Sequence, residues 1–398
     1  MIDHDFKLTV SELQTLRLIL DAGPISRVKI AQKLKLTRAA VTLAVQQLQK
    51  RGYIIEAGKG ESKAGRREVL LSGNPDAGLF FTVHFALRYT TIGLVNLTGN
   101  ILYKTHLDLA SDTDTAPQFI IDQVTDTVKN YILEHNISTN RLWGIGVSLP
   151  GIIDYEKGTA LESTIQGWEN FEIKKAFNNH FACPVIIEND VKTLTLAEFR
   201  FSTGLHVKNM ICLWMEDGIG AGIIINGRLF RGHSYSAGEI GFNEFIRPPA
   251  NGKSLLIRQK PRFWGDILAF SNIKSAVQMG IEEGWHTTMS RDITIDDFIE
   301  AANANDPLAM HIFRMLGQVL GVVCSNMIFT FNPEVLLLSG PLFRRLPGLA
   351  DVIHKHLSQT HLRTPIKASS IRISTFGEDS ITIGGALLLL EHLLKLPE

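Results

Sequence analysis

A single carboxylate, Glu239, stands between two glycines in SAGEIG (236–241). Glycine lets backbone lie where a side chain would clash, so a carboxylate framed this way can come close to a ligand hydroxyl. Asn189 and Asp190 end the apolar run PVIIEND (184–190), which reads as a buried strand. Sites in α/β proteins sit at the C-terminal ends of such strands. Asp190 either accepts a proton or hydrogen bond from a ligand hydroxyl or caps the helix starting at Val191, and the two roles are compatible. The glycines of GIGAG (218–222) invite comparison with a dinucleotide loop, but that loop should open a helix and here strand-like IIING follows. A Rossmann site is therefore not expected. The stretch is either a glycine hairpin touching phosphate or sugar, or a plain tight hairpin.

A different chemistry is suggested nearer the start. Residues 1–75 carry thirteen Lys/Arg against seven Asp/Glu, a net of +6, and the whole chain of 398 residues sums to zero, leaving −6 for residues 76–398. A basic head on an acidic body points to a polyanion that meets the head alone. Leu13, Leu16, Leu18, Ile19 and Leu20 predict a helix that stops at Gly23. Ser26 starts a short helix with Val28, Ile30, Ala31 and Leu34 inward; Leu36 is the turn, and Thr37 caps a further helix running to about Lys50. In that last helix Val41, Val45 and Leu48 share the inner face. Arg38, Ala39, Thr42 and Gln46 fall outward, with Gln47 flanking and Lys50 at the end. This is a helix-turn-helix pattern: small residues let the helix sink into a major groove, and Arg and Gln offer paired donors to base edges. YIIEAGKGESKAGRREVLLS (53–72) follows as a β-hairpin wing with Lys59, Lys63, Arg66 and Arg67 near its tip, suited to phosphate or minor-groove contact.

The elements that must position the body's residues come next. SGNPDAG (72–78) reads as a linker, followed by three strands in 79–109 and a helix near 116–135. A strand and turn (LWGIGVSLPGIID), a helix near 172–181, PVIIEND with its following helix, and a further strand–glycine turn–strand succeed them. Helices near 306–330, 345–358 and 380–395 alternate with the strands VLLLSG and IRISTF. Strand pairs followed by helices in each half predict a duplicated α/β body, two lobes with a cleft between them, over residues 76–398. Cys183, Cys212 and Cys324 show no pairing or metal-ligand spacing and fit buried free thiols in a reducing compartment. The first residues lack a secretion signal, and the apolar run ITIGGALLLLEHLLKL is short and broken by Glu391 and His392, so a cytoplasmic protein with no membrane span is expected.

Taken in order, the head, GVSLPGIID, GW, END, GIGAGIIINGRLFRG, AGEIG, FNPEVLLLSG and FGEDSITIGGALLLL resemble the ROK family of repressors, open reading frames and kinases, most of all its sugar-responsive repressors. The resemblance covers nearly the whole chain. It implies a winged-helix domain (1–75) on an actin/hexokinase-like body, a homodimer or homotetramer built through that body, and operator DNA as partner. It also implies a sugar or sugar-phosphate effector held by Asn189, Asp190 and Glu239, or control by a protein partner instead. Two departures shape the expectation. Family kinases carry an Asp-x-Gly-Gly-Thr-like phosphate loop; here His84 stands at the Asp, with Ala86, Leu87 and Arg88 beyond it. Bulky side chains there keep ATP phosphates from the backbone and the Mg²⁺-organising carboxylate is missing, so no kinase activity, catalytic residue or cofactor is expected. The family also places His and a cysteine-rich zinc stretch after Gly-Glu-Ile-Gly. Here Phe242 takes the His position, and Gly265, Asp266 and Leu268 align with Gly, Cys and a sugar-contacting Glu. Without N/S ligands no zinc is expected; Phe242 and Phe245 are instead expected to pack the segment from inside, stiffened by Pro248 and Pro249. A sugar kinase remains the less favoured alternative.

Overall fold

Hydroxyl caps start each helix of the head. The computed structural model describes residues 8–60, 67–87, 89–108, 116–201, 207–216, 218–244, 255–256, 262–377 and 379–395. Thr9 accepts from Glu12 N while the Glu12 carboxylate accepts from Thr9 N at 2.7 Å, a reciprocal box opening α1 (Val10–Ala22). Ser26 caps α2 (Arg27–Leu34), and Thr37 caps α3 (Arg38–Lys50) by accepting from Ala40 N at 3.2 Å. Lys35, left-handed at φ 55°, makes the turn between them. Leu16, Ile19, Ile30, Val41, Val45 and Leu48 bury completely where the three helices meet, as their spacing predicts. The wing is also present: β2 (Ile54–Lys59) pairs antiparallel with β3 (Val69–Gly73). A two-residue strand, β1 (Ile25–Ser26), joins the other side of β3. Two residues carry no period, so nothing in the sequence announced it.

The stretch 72–78 is not a slack linker. Asn74 donates from Nδ2 to Gly52 O (2.7 Å) and from its backbone N to Tyr53 O (2.9 Å). Tyr53 sets its ring edge-on to Trp143, 5.2 Å between centroids, and Gly78 lies so near Trp143 that a Cβ would come within 2.4 Å of the indole. The chain accordingly divides into two compact units, Met1–Arg200 with Ile381–Glu398, and Phe201–Ser380, the first including the head.

Each unit carries a five-stranded mixed sheet on one plan. In the first, β4 (Leu79–Phe85), β5 (Tyr89–Asn96) and β6 (Ile101–Asp108) are antiparallel neighbours. After α4 (Pro117–Glu134) comes β7 (Leu142–Leu149), parallel to β4. A ribbon of β8 (Ile152–Asp154) and β9 (Thr159–Glu162), then α5 (Ile173–Asn178), lead to β10 (Val185–Asn189), parallel to β7, and to α6 (Asp190–Phe201). The second unit repeats this. Antiparallel β11 (Met210–Met215), β12 (Ile219–Ile225) and β13 (Arg228–Leu229) come first. The helices α7 (Trp264–Leu268), α8 (Phe270–Glu282), α9 (Ile295–Asn303) and α10 (Pro307–Phe331) precede β14 (Val335–Ser339), which is parallel to β11. Then α11 (Pro341–Arg345), α12 (Gly348–Ser358) and α13 (Arg363–Ala368) lead to β15 (Ser370–Ile373), parallel to β14. The orders β6-β5-β4-β7-β10 and β13-β12-β11-β14-β15 are equivalent, so the expected duplication is real. The helix expected over 345–358 starts later because Pro347, with no N–H to give, precedes Gly348.

Two helices explain the remaining motifs. By length and composition α10 could cross a bilayer, yet it is mostly buried and packs against α8, α9, α12 and α13 as the second unit's core helix. The closing helix α14 (Asp379–Leu393) covers the first sheet by close backbone approach. A Cβ on Gly384 would lie 2.1 Å from Thr193 O, and one on Gly146 2.2 Å from Gly385 O. The paired glycines of ITIGGALLLL are thus a packing requirement.

Candidate functional site

The outward face of α3 is as the sequence predicts. Arg38, Ala39, Thr42, Gln46 and Lys50 are exposed, and Gln47 is half-buried at the flank. Thr42 donates its hydroxyl to Arg38 O at 2.7 Å, which leaves its oxygen free to accept. Leu43 was missed: it is 60% exposed beside Thr42, one turn beyond Ala39. The i, i+4 spacing from Ala39 could have revealed it, but leucine reads as core by habit. An apolar side chain on a groove-facing helix suits a thymine methyl. Arg27 of α2 steadies α3 from behind, donating to Gln49 Oε1 at 3.3 Å. In the wing Arg67 is exposed, while Lys63 and Arg66 lie outside the described residues.

In the first unit the strand β10 delivers Asn189 and Asp190 to its C-terminal end, where α6 begins. The capping role suggested for Asp190 is shared. Asn189 Oδ1 accepts from Lys192 N (3.0 Å) and its Nδ2 donates to Gly151 O (3.0 Å), so both ends of that buried side chain are engaged inside the protein. Asp190 Oδ1 accepts from Val191 N at 2.8 Å. Its Oδ2 faces His84 Nε2 at 3.8 Å, too far for a hydrogen bond. That imidazole nitrogen is buried without a hydrogen-bond partner among the described residues. The residue that marks the lost kinase Asp therefore sits opposite the candidate ligand carboxylate, a pairing no spacing rule reveals. Beyond His84, Ala86 N donates to Tyr89 O at 2.9 Å, the ordinary bond that joins the ends of β4 and β5. Leu87 stands exposed between the two strands, and Arg88 lies outside the described residues.

In the second unit Glu239 is half-buried at the head of a single 3₁₀ turn, Ile240–Phe242. The glycines before and after it are obligatory. Gly238 has φ +94° and a Cβ there would fall 1.8 Å from Ala221 O; a Cβ on Gly241 would meet Ile219 O at 2.6 Å. The loop thus lies flat on β12, which fixes where Glu239 stands. GIGAG is not itself a hairpin turn: Ile219–Gly222 open β12 and pair with Met215–Cys212 of β11, leaving Gly218 alone before the strand. The expectation that Phe242 packs from inside is wrong: it is 65% exposed, with its ring near that of Phe263, centroids 6.2 Å apart. The segment is instead tied by Arg262 to Glu244 at 2.5 Å and by Asp266, whose carboxylate accepts from Arg262 N and Phe263 N. Phe245, Pro248 and Pro249 lie outside the described residues. Leu268, aligned with the family's sugar-contacting Glu, is fully buried. Among the described residues no cluster of His, Cys, Asp or Glu could hold a metal ion.

A winged-helix head on a duplicated α/β body defines a DNA-binding module joined to a sugar-kinase-like scaffold. The sequence pattern of the ROK family matches residues 83–392, and that of the MarR family residues 8–55. The chain belongs to the ROK family. It is 28% identical to the xylose repressor of Caldicellulosiruptor bescii over the full length of both proteins. With the N-acetylglucosamine repressor of Escherichia coli O157:H7 it shares 28% identity over 95% of this chain and 94% of the other. Among solved structures, a ROK family transcriptional regulator homologous to the E. coli MLC protein superposes with a TM-score of 0.81 at 24% identity, covering 97% and 96% of the two chains. A ROK family glucokinase from Streptomyces griseus in complex with glucose and AMPPNP gives 0.59 at 22% identity, covering 78% of this chain and 99% of the other, which places the body in the hexokinase-like fold.

Proposed function

We propose that this protein is a DNA-binding transcriptional repressor of carbohydrate-metabolism genes, not an enzyme, whose body answers to a sugar or sugar derivative. The head, residues 1–75, reads operator DNA through Arg38, Ala39, Thr42, Leu43, Gln46, Gln47 and Lys50, with Lys63, Arg66 and Arg67 of the wing on phosphates. The body, residues 76–398, senses the effector. Asp190 and Glu239 accept sugar hydroxyls, each held by its own unit, and Asn189 fixes the start of the helix that carries Asp190. The protein works as a cytoplasmic homo-oligomer presenting two heads to a pseudo-palindrome. The observation that carries this reading is the exposed polar face of α3 together with His84, Ala86 and Leu87 where the family's kinases carry an aspartate and glycines.

The test has two arms. Selection from random duplexes should yield one enriched sequence whose binding Gln46→Ala weakens. Thermal unfolding with D-xylose, N-acetylglucosamine and their phosphates should show stabilisation by one compound, lost in Asp190→Ala. ATP-dependent phosphorylation of any of these sugars would restore the kinase reading. A second reading, control by a protein partner, is favoured by buried Leu268 and exposed Phe242 where the family keeps polar ligands. Enriched DNA with no stabilising sugar would select it.

A further inference from the structure

The last turn of α1, in the head, carries Asp21, and the last turn of α6, in the lobe, carries Arg200. Arg200 Nη2 and Asp21 Oδ1 are 2.6 Å apart, with side-chain exposures of 17% and 40%. Arg200 is otherwise enclosed. Burial works against its charge, Asp21 and Glu391 of α14 favour it, and Arg17 opposes it. Arg17, one turn before Asp21, lies 3.9 Å from the other Asp21 oxygen, so Asp21 is held from both sides. A carboxylate drawn onto an enclosed guanidinium is a directional contact, because the planar fork fixes the angle as well as the distance.

The position of this pair gives it a use. The helix α6 is continuous from Asp190 to Phe201. Its first residue is the proposed acceptor of a sugar hydroxyl, and Arg200 stands about 15 Å along the same rod. At the other side α1 packs along α3, the helix that presents the DNA-reading face. One rod, one ion pair and one helix–helix contact thus run without a break from the start of α6 to the head. Coupling of two sites needs such a physically continuous element that both can bias.

We propose that Arg200 is the coupling residue of this protein, tying the helix that begins at the ligand carboxylate to α1 so that the state of the sugar site sets the pose of α3. The proposal rests on the sensing reading given above. Arg200 acts by positioning; it touches neither DNA nor effector.

Hydrogen exchange of the full-length chain, read at α1 and α6, tests it without knowledge of the effector. The set is wild type, Asp190→Ala, Asp21→Asn and the double variant Asp21→Asn/Asp190→Ala. Asp190→Ala should speed exchange in the last turn of α1 by about threefold or more, and that effect should vanish once Asp21→Asn has opened the pair. Asp21→Asn is the gentler lesion because Asp21 is the more exposed partner, and Arg200→Lys, which keeps the charge but not the fork, should behave like it. An Asp190→Ala effect of equal size in both backgrounds, or none at α1, overturns the proposal. Duplex selection and sugar binding by the wild type are measured alongside. If those fail while the exchange result holds, the sensing reading falls and the α6–α1 coupling stands.

Discussion

At the scale of single residues, the face of α3 proposed to read DNA should divide into side chains that specify and side chains that anchor. Gln46 and Leu43 face outward from mid-helix, so Gln46→Ala and Leu43→Ala should each relax preference at one or two base pairs, by about 1–3 kcal/mol of discrimination. Lys50 lies at the helix end, and Lys50→Ala should weaken all sequences alike. Competition binding against single-base operator variants separates the two outcomes. The thiols give a second prediction. Burial pushes the Cys183 thiol up to about 11 and the Cys324 thiol up to about 12. At pH 8 the thiolate of either is then roughly one part in a thousand or less, and the thiolate is the reacting form. A disulfide reagent should label Cys183 slowly and Cys324 only on unfolding; rapid labelling of both in the native protein would contradict this. Which residues would matter was legible where a period exposed them, as on α3. It failed where a partner comes from elsewhere in the chain, as with His84 opposite Asp190.

At the scale of elements, α10 shows how a single cap organises a core helix. Asp306 Oδ1 accepts from Leu308 N and Ala309 N and from Thr287 Oγ1, each at 3.0 Å, and Oδ2 accepts from Thr288 N at 2.7 Å. Burial alone would raise its pKa, but the hydrogen bonds from Ala309, Thr288 and Thr287 prevail and hold it below the ordinary carboxylate value. Asp306→Ala should cost about 2 kcal/mol, a strong cap lost. Because the folded state lowers this pKa, the stabilisation is fully present above about pH 4 and is lost as pH falls through the lower folded value. Thermal unfolding at pH 7 and at pH 3 checks it: the gap between wild type and variant should narrow in acid. Elements were also what the sequence showed best. Ser26 and Thr37 marked their helices because a cap is a local event, and the duplicated α/β plan followed from strand pairs and the helices after them, though not the strand count of each sheet. Irregular segments were harder. The sidedness of Phe242 has no periodicity behind it, and the packing of 72–78 depends on Trp143, far along the chain.

At the scale of the whole molecule, charge asymmetry makes the proposed DNA binding testable through salt. With +6 on residues 1–75 and −6 on the rest, the proposed DNA binding should rest on counterions released by the head alone. A plot of log affinity against log salt should fall with a slope of about −0.9 for each phosphate contacted, and Lys50→Ala should make it shallower by about one. A slope unchanged in Lys50→Ala would remove that residue from the phosphate-contacting set. His84, standing where a kinase of the family keeps its aspartate, bears on how the proposed signal would reset. A kinase consumes the sugar it recognises, so its occupancy depends on how fast metabolism supplies and clears it. A body that binds sugar without transferring phosphate, as proposed here, returns each molecule unaltered. Its occupancy follows free concentration alone, and a gene switched by such a body resets by dilution, without a second enzyme to undo the signal.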